Sequence, residues 1–157
     1  MQRLFGTLTV IIAAAALSAP PAAPRAIALT GGENALLAAI NATRRAHGLV
    51  ALRIDPRLEL AARAHSNDML RHDYFAHGDF GGRMLRFGVR GRLMAENLAW
   101  GTGTLAALTA VAWWMASPPH RANLLRRDLR RVGLAAPVGA FAGYPRATVV
   151  TADFAGS

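Results

Sequence analysis

From Glu33 to Ala46 apolar residues recur on one helical face, at Leu36, Leu37 and Ile40, with Ala39 and Thr43 extending it. That spacing predicts a helix packed along one side. Thr30 and Glu33 have the spacing of a capping box at its start, and His47-Gly48 ends it. A second helix starts at Asp55-Pro56, a capping carboxylate followed by proline at the first helical position. Its inward stripe is Leu58, Ala61, Ala62, His65, Met69 and His72, so two histidines face the interior. Residues 73–95 are glycine-rich and predict a structured loop with a helical turn from Arg83 to Phe87. Leu93 to Ala99 is apolar apart from Glu96-Asn97 and reads as a strand or a turn. Leu105 to Ala116 is apolar almost all round, which predicts a long helix covered on most sides, with Trp100, Trp113 and Trp114 in the core. A short helix is expected from Pro118 to about Arg127, then strands Val132 to Val138 and Ala147 to Phe154, joined through Gly139, Gly143 and Pro145 as an antiparallel hairpin. The simplest assembly is an α+β fold, a three-layer α–β–α sandwich with a small antiparallel sheet between helices.

The first residues change the picture of where this domain works. Met1-Gln2-Arg3 is a short basic start, Leu4 to Leu17 is apolar, and Ala26-Ile27-Ala28 offers a small-residue cleavage site. Residues 1–28 are therefore expected to be a signal peptide and residues 29–157 one domain, secreted or periplasmic. Cleavage near Ala19 and a retained N-terminal anchor are the alternatives, although a membrane span needs roughly 20 apolar residues. No cysteine is present, so packing alone must hold the fold, and thiol catalysis, a cysteine-bearing metal site and a lipoprotein anchor are excluded.

The formal charge is +9, and every basic side chain is arginine. Such a balance favours anionic partners: lipid headgroups, acidic envelope polymers or nucleic acid. Most of the arginines are scattered, and only Arg126, Arg127, Arg130 and Arg131 cluster. An alanine-rich chain without lysine is also what GC-biased coding produces, with no functional meaning.

Three polar residues lie in apolar surroundings: His77, Glu96 and His120. Ser117 and Pro118 place His120 near the third position of a helix, with Ser117 as the N-cap, where the helix dipole favours neutral imidazole. Two imidazoles and a carboxylate form an acceptable divalent-metal set, which zinc takes readily. Their dispersion along the chain equally suits three structural hydrogen-bonding residues. His65 reads as a core histidine bonded to a backbone carbonyl, while His72 and His47 read as helix-terminal residues. Ser117, His120 and Glu96 can be drawn as nucleophile, base and orienter, but capping would turn the Ser117 hydroxyl to backbone amides.

Phe75-Ala76-His77, Ala95-Glu96-Asn97-Leu98-Ala99 and Trp114 through His120, in that order, resemble the successive signatures of the CAP (SCP-like) superfamily. Ala64 to Met69 is similar to the preceding helix of bacterial members, and the likeness runs from about Leu36 to Phe154. The resemblance implies an α–β–α sandwich with a cleft of two histidines and acidic residues, at His77, Glu96 and His120, with Ser117 beside them. Ala95 and Pro119 stand where the family usually has glycine. Ser117 or Ala116 stands where eukaryotic members carry a second cleft glutamate, so any zinc site is expected to be weak. The function expected is a secreted binding module of the bacterial envelope, its His/Glu-lined cleft taking a small apolar ligand or a divalent metal. A metal-assisted hydrolase acting on an envelope polymer or peptide, and an interaction domain with a vestigial cleft, are the alternatives. Envelope lipid or an anionic polymer is the expected partner, a monomer the expected state, and nucleic acid is not expected.

Overall fold

A computed structural model describes residues 28–156. The proposed signal peptide falls, but for Ala28, outside the described residues. Helix α1 (Gly31–Ala46) opens on the expected capping box: Glu33 N–H donates to Thr30 Oγ1 at 3.2 Å, and Thr30 N–H donates back to Glu33 at 2.8 Å. Helix α2 (Pro56–His72) is capped by Asp55, whose carboxylate accepts from Arg57 N–H. Between α1 and α2 lies the two-residue strand β1 (Arg53–Ile54). The glycine-rich stretch then forms helix α3 (Phe80–Arg86), longer and earlier than the expected turn because Asp79 caps it through Gly82 N–H. Strand β2 (Met94–Thr102), helix α4 (Ala107–Ala116), helix α5 (Pro118–Leu124) and strands β3 (Leu129–Ala135), β4 (Val138–Phe141) and β5 (Tyr144–Gly156) complete the chain.

The sheet runs β1-β3-β5-β2, with β4 also paired to β5. Only the β1–β3 pair is parallel, so the sheet is mixed rather than wholly antiparallel. The anticipated hairpin of 132–138 with 147–154 is split: β3 pairs with β5 as expected, but Val138 belongs to β4. The tight β4–β5 turn is Ala142-Gly143, both at positive φ, the geometry that suits a two-residue hairpin loop. From Ala147 to Gly156 every residue of β5 is buried, because α2 and α3 cover one face of the sheet while α1, α4 and α5 cover the other. The core accordingly divides into the larger cluster of Leu36, Ile40, Trp114, Val132 and Phe154 and smaller ones built on Leu58 and Met69. This is the α–β–α sandwich.

Helix α4 departs from expectation. Leu108 is 76% exposed and Trp113 49%, whereas Trp114 is 1% exposed and donates its indole N–H to Leu98 O. Only one stripe of the helix meets the core, since α1 and α5 flank it without enclosing it. Conversely Arg44, one of the scattered arginines, is fully buried, donating to the carbonyls of Val50, Leu124, Arg126 and Leu129.

The closest approach between layers is at Gly133 on β3, where a Cβ would lie 2.0 Å from the Leu58 carbonyl carbon. Helix α2 therefore rests with its backbone directly on the sheet, which holds His65 and the loop after it against β2. Gly133→Ala should destabilise the protein by about 1–3 kcal/mol or more, because two backbones must separate to admit a methyl group. Chemical denaturation checks this, and an unchanged midpoint would contradict the packing described.

Candidate functional site

Strand β2 is an edge strand, and the site is built around it. Its side chains alternate, so Glu96, Leu98 and Trp100 face α2 while Ala95, Asn97 and Ala99 face α4 and α5. The exposed edge is covered by side chains rather than by another strand: Trp114 Nε1–H donates to Leu98 O, and Asn123 Nδ2–H donates to Glu96 O at 3.1 Å. Asn97 Nδ2–H donates to His120 O at 3.0 Å, tying α5 to the same strand. His77, from the α2–α3 loop, and His120, from α5, thus approach β2 from opposite layers.

His77 Nδ1 lies 2.6 Å from Glu96 Oε1, with the imidazole side chain 57% exposed and the carboxylate 2% exposed. The other Glu96 oxygen, Oε2, receives Arg83 Nη2–H, and Arg83 Nη1–H donates to His77 O at 3.2 Å. His65 donates to Ala76 O at 2.9 Å, as expected of a core histidine, and holds the His77 loop from beneath. His72 is exposed and pairs with Asp68 at 3.0 Å, and His47 bonds Thr43 O, so neither belongs to the site.

Ser117 overturns its expected role. It makes no side-chain cap bond to α5; instead its Oγ lies 2.8 Å from His120 Nδ1. The hydroxyl is taken by the imidazole three residues on in the same helix, and Pro118 and Pro119 leave no N–H at the first two helical positions for it to cap. No catalytic triad results, since the Glu96 carboxylate orients His77 and not His120.

Two residues to which the sequence gives no evident role in the site complete the arrangement. Asp153 on β5 is the register partner of Glu96 and is fully buried, and Arg83 Nη2 lies 3.8 Å from Asp153 Oδ1. Neither Asp153 oxygen has a donor among the described residues. Two carboxyls side by side in a buried site cannot both ionise at modest cost. Burial, then the neighbouring Glu96, push Asp153 well above the usual carboxylate range, so of the two acids it is the one that holds its proton more tightly. Burial also raises Glu96, to about 7, against the opposing pull of Arg83. His65 is lowered to about 4, chiefly by burial and then by Arg83, and is neutral. His120 is lowered by burial first and then by the charge of His77, which places the two imidazoles in one electrostatic environment.

Among the described residues no three His, Asp or Glu side chains are gathered so as to hold a metal ion. Both oxygens of Glu96 are occupied, so its direct ligation would require the His77 or Arg83 bond to break. What the geometry leaves is one nitrogen, Nε2, on each of His77 and His120, with both Nδ1 atoms already engaged.

The carboxyl pair sets a sign for the pH dependence of stability. Glu96 and Asp153 bind protons more tightly folded than unfolded, so their contribution is present at low pH and lost as pH rises, for Glu96 from about 4.5 through about 7. His65 acts oppositely, its contribution present above 6.5 and lost as pH falls towards 4. Above pH 6.5 only the carboxyls remain, so unfolding free energy should fall between pH 6.5 and 8. The double variant Glu96→Gln/Asp153→Asn should lack that fall, as denaturation curves at the two pH values will show; an equal fall in both proteins would refute the assignment.

Comparison with known proteins matches residues 37–154 to the profile of the CAP, cysteine-rich secretory protein family. The uncharacterised protein YkwD of Bacillus subtilis is 36% identical over 99 residues, 60% of this chain and 38% of that protein. The uncharacterised membrane protein YlbC of the same organism is 31% identical over 110 residues, 67% of this chain and 31% of its own length. The chain thus spans about a third of the length of these relatives. An extracellular SCP-domain protein of Bacillus anthracis superposes with a TM-score of 0.67 at 28% identity, covering 81% of this chain and 41% of that one. An outer surface protein of Borrelia burgdorferi shares the fold, with a TM-score of 0.66 at 22% identity over 85% of this chain and 99% of its own. These structural relatives are extracellular or surface proteins, and no helix among the described residues is long and apolar enough to cross a membrane.

Proposed function

The chain belongs to the CAP, or cysteine-rich secretory protein, family, and from that premise we propose that it is an exported binding module of the bacterial envelope. Its cleft takes a small apolar ligand and, weakly, a divalent metal. The observation that carries this reading is the fixing of both imidazoles through Nδ1, His77 by Glu96 and His120 by Ser117, which leaves Nε2 of each ring without a partner among the described residues. An apolar wall lies alongside: Phe75, two residues before His77 and 44% exposed, packs edge-on against Phe141, which packs against Trp100. Export agrees with the basic and apolar start of the chain and with extracellular and surface relatives.

The donor set suits zinc only as a two-imidazole site, with Glu96 orienting His77 in the manner of a carboxylate–histidine pair behind a metal. A zinc ion there would supply a Lewis acid able to polarise a carbonyl or a water. A metal-assisted hydrolase is the second reading, favoured by a Glu96 carboxyl poised near neutrality. Against it stand the 2% exposure of that carboxyl and its bonds to Arg83 and His77. This chain's residues hold and orient a ligand more readily than they move a proton to one.

Calorimetric titration of zinc into the metal-free protein tests the cleft. Binding should be weak, micromolar or looser, and should fall as pH drops through the imidazole range near 6.5, because both ring nitrogens must be unprotonated. His120→Ala and His77→Ala should abolish it, and Glu96→Gln should weaken it about 10–100-fold through loss of orientation. His65→Ala should spare it. Equal heats for wild type and His120→Ala would remove the metal and leave the plain binding module.

A further inference from the structure

Arg53 and Arg92, distant in the sequence, join the clustered Arg126, Arg130 and Arg131 at one end of the sheet, away from His77 and His120. One groove of about 590 Å³ runs beside β1, lined by Arg53, Arg130 and Arg131 together with Val50, Ile54 and Pro56. A second, of about 450 Å³, is lined by Arg92, Arg126 and Arg130 with Asp128. Arg130 is common to both, so the two grooves form one track. Along it five arginines face two aspartates, and Asp55 is already held by Arg131. Arg53, Arg92, Arg126 and Arg130 are exposed and have no carboxylate partner among the described residues.

A second observation points the same way. Arg44, fully buried below the track, is a cation neutralised by no carboxylate among the described residues; it is solvated only by four main-chain carbonyls, two of them from Arg126 and Leu129. Burial lowers its pKa, and the charge of Arg130 lowers it further. The surface above it is thus repelled from within as well as self-repelling, a cost that an anion lying along the track would relieve. Guanidinium groups spaced along a groove match phosphate oxygens through paired N–H donors.

We propose that this arginine track binds an extended phosphate-bearing polymer along the two grooves that share Arg130. A linear polyanion fits better than a flat lipid surface because the charges line concave grooves. Of the large exposed apolar side chains among the described residues only Val50 lines the track, too little to enter a bilayer, while Leu85, Leu108 and Trp113 lie on α3 and α4. The site is independent of the His77–His120 cleft and of what that cleft holds.

The test titrates the full chain with long-chain linear inorganic polyphosphate, at about 50 and 200 mM salt, since the affinity of multiple phosphate contacts falls steeply over that range. Arg92→Ser/Arg126→Ser/Arg130→Ser should weaken binding by about tenfold or more and flatten its salt dependence. A control of equal charge, Arg71→Ser/Arg86→Ser/Arg146→Ser, removes exposed arginines outside the track and should stay within about twofold of wild type. The side chains replaced in the first variant make only local bonds or none, and the single substitutions should give smaller losses in the same direction. Orthophosphate should compete poorly, since one phosphate occupies one groove. The proposal fails if wild type does not bind polyphosphate, or if both triple variants lose equally, which would mean diffuse net charge. It also fails if phosphatidylglycerol vesicles show track-dependent binding while polyphosphate does not, or if duplex DNA binds more tightly than polyphosphate.

Discussion

A buried carboxyl pair, Glu96 opposite Asp153 across strands β2 and β5 with Arg83 over both, is the constraint on which the rest of the site depends. Antiparallel register places two acids on one face of the sheet, and α2 and α3 seal that face from water. With one cation available to two acids, one acid must keep its proton. The fully buried Asp153 does so, and Glu96 is left as the acceptor for Arg83 and His77. The direction in which His77 points is therefore decided in the sheet beneath it, in the pairing of edge strand β2 with β5.

The surroundings of His77 and His120 are fastened without a disulfide. The edge of β2 is closed by Trp114 and Asn123, His120 is pinned through its carbonyl by Asn97 and through its ring by Ser117, and the His77 loop is fastened by His65 and Arg83. Apart from the half-exposed Ser117–His120 pair these bonds are to main-chain atoms, where a lost partner leaves a costly unpaired group. Gly133 adds the close seating of α2 on the sheet that brings His65 within reach. A site held in this way suits recognition, because its donors are presented with little freedom left to lose on binding.

How much of this was legible in the sequence follows from the range of the interactions. The Thr30–Glu33 box and the Asp55-Pro56 start are local, and both form as their spacing predicts. His77, Glu96 and His120 were found as polar residues in apolar segments and by family likeness, and the fold brings all three to β2. Arg83 and Asp153 escaped because their meaning is a matter of register: Asp153 is conspicuous as a lone acid in an apolar strand, but nothing local says that it faces Glu96. Ser117 departs from the capping rule although its partner is local, since Pro118 and Pro119 offer no N–H and the His120 ring three residues on takes the hydroxyl. Trp113 and Arg44 exchanged their expected places, since composition shows neither which stripe of α4 is covered nor that four carbonyls converge on one guanidinium.

Carbon-13 NMR of the side-chain carboxyls of metal-free protein tests the central claim directly. The account predicts that the Glu96 carboxyl titrates with a midpoint of about 7 and that Asp153 titrates well above the ordinary carboxylate range. Midpoints for both in the ordinary range near 4 would show that the pair is solvated and ionised, and would contradict the proton-sharing arrangement from which the site has been built.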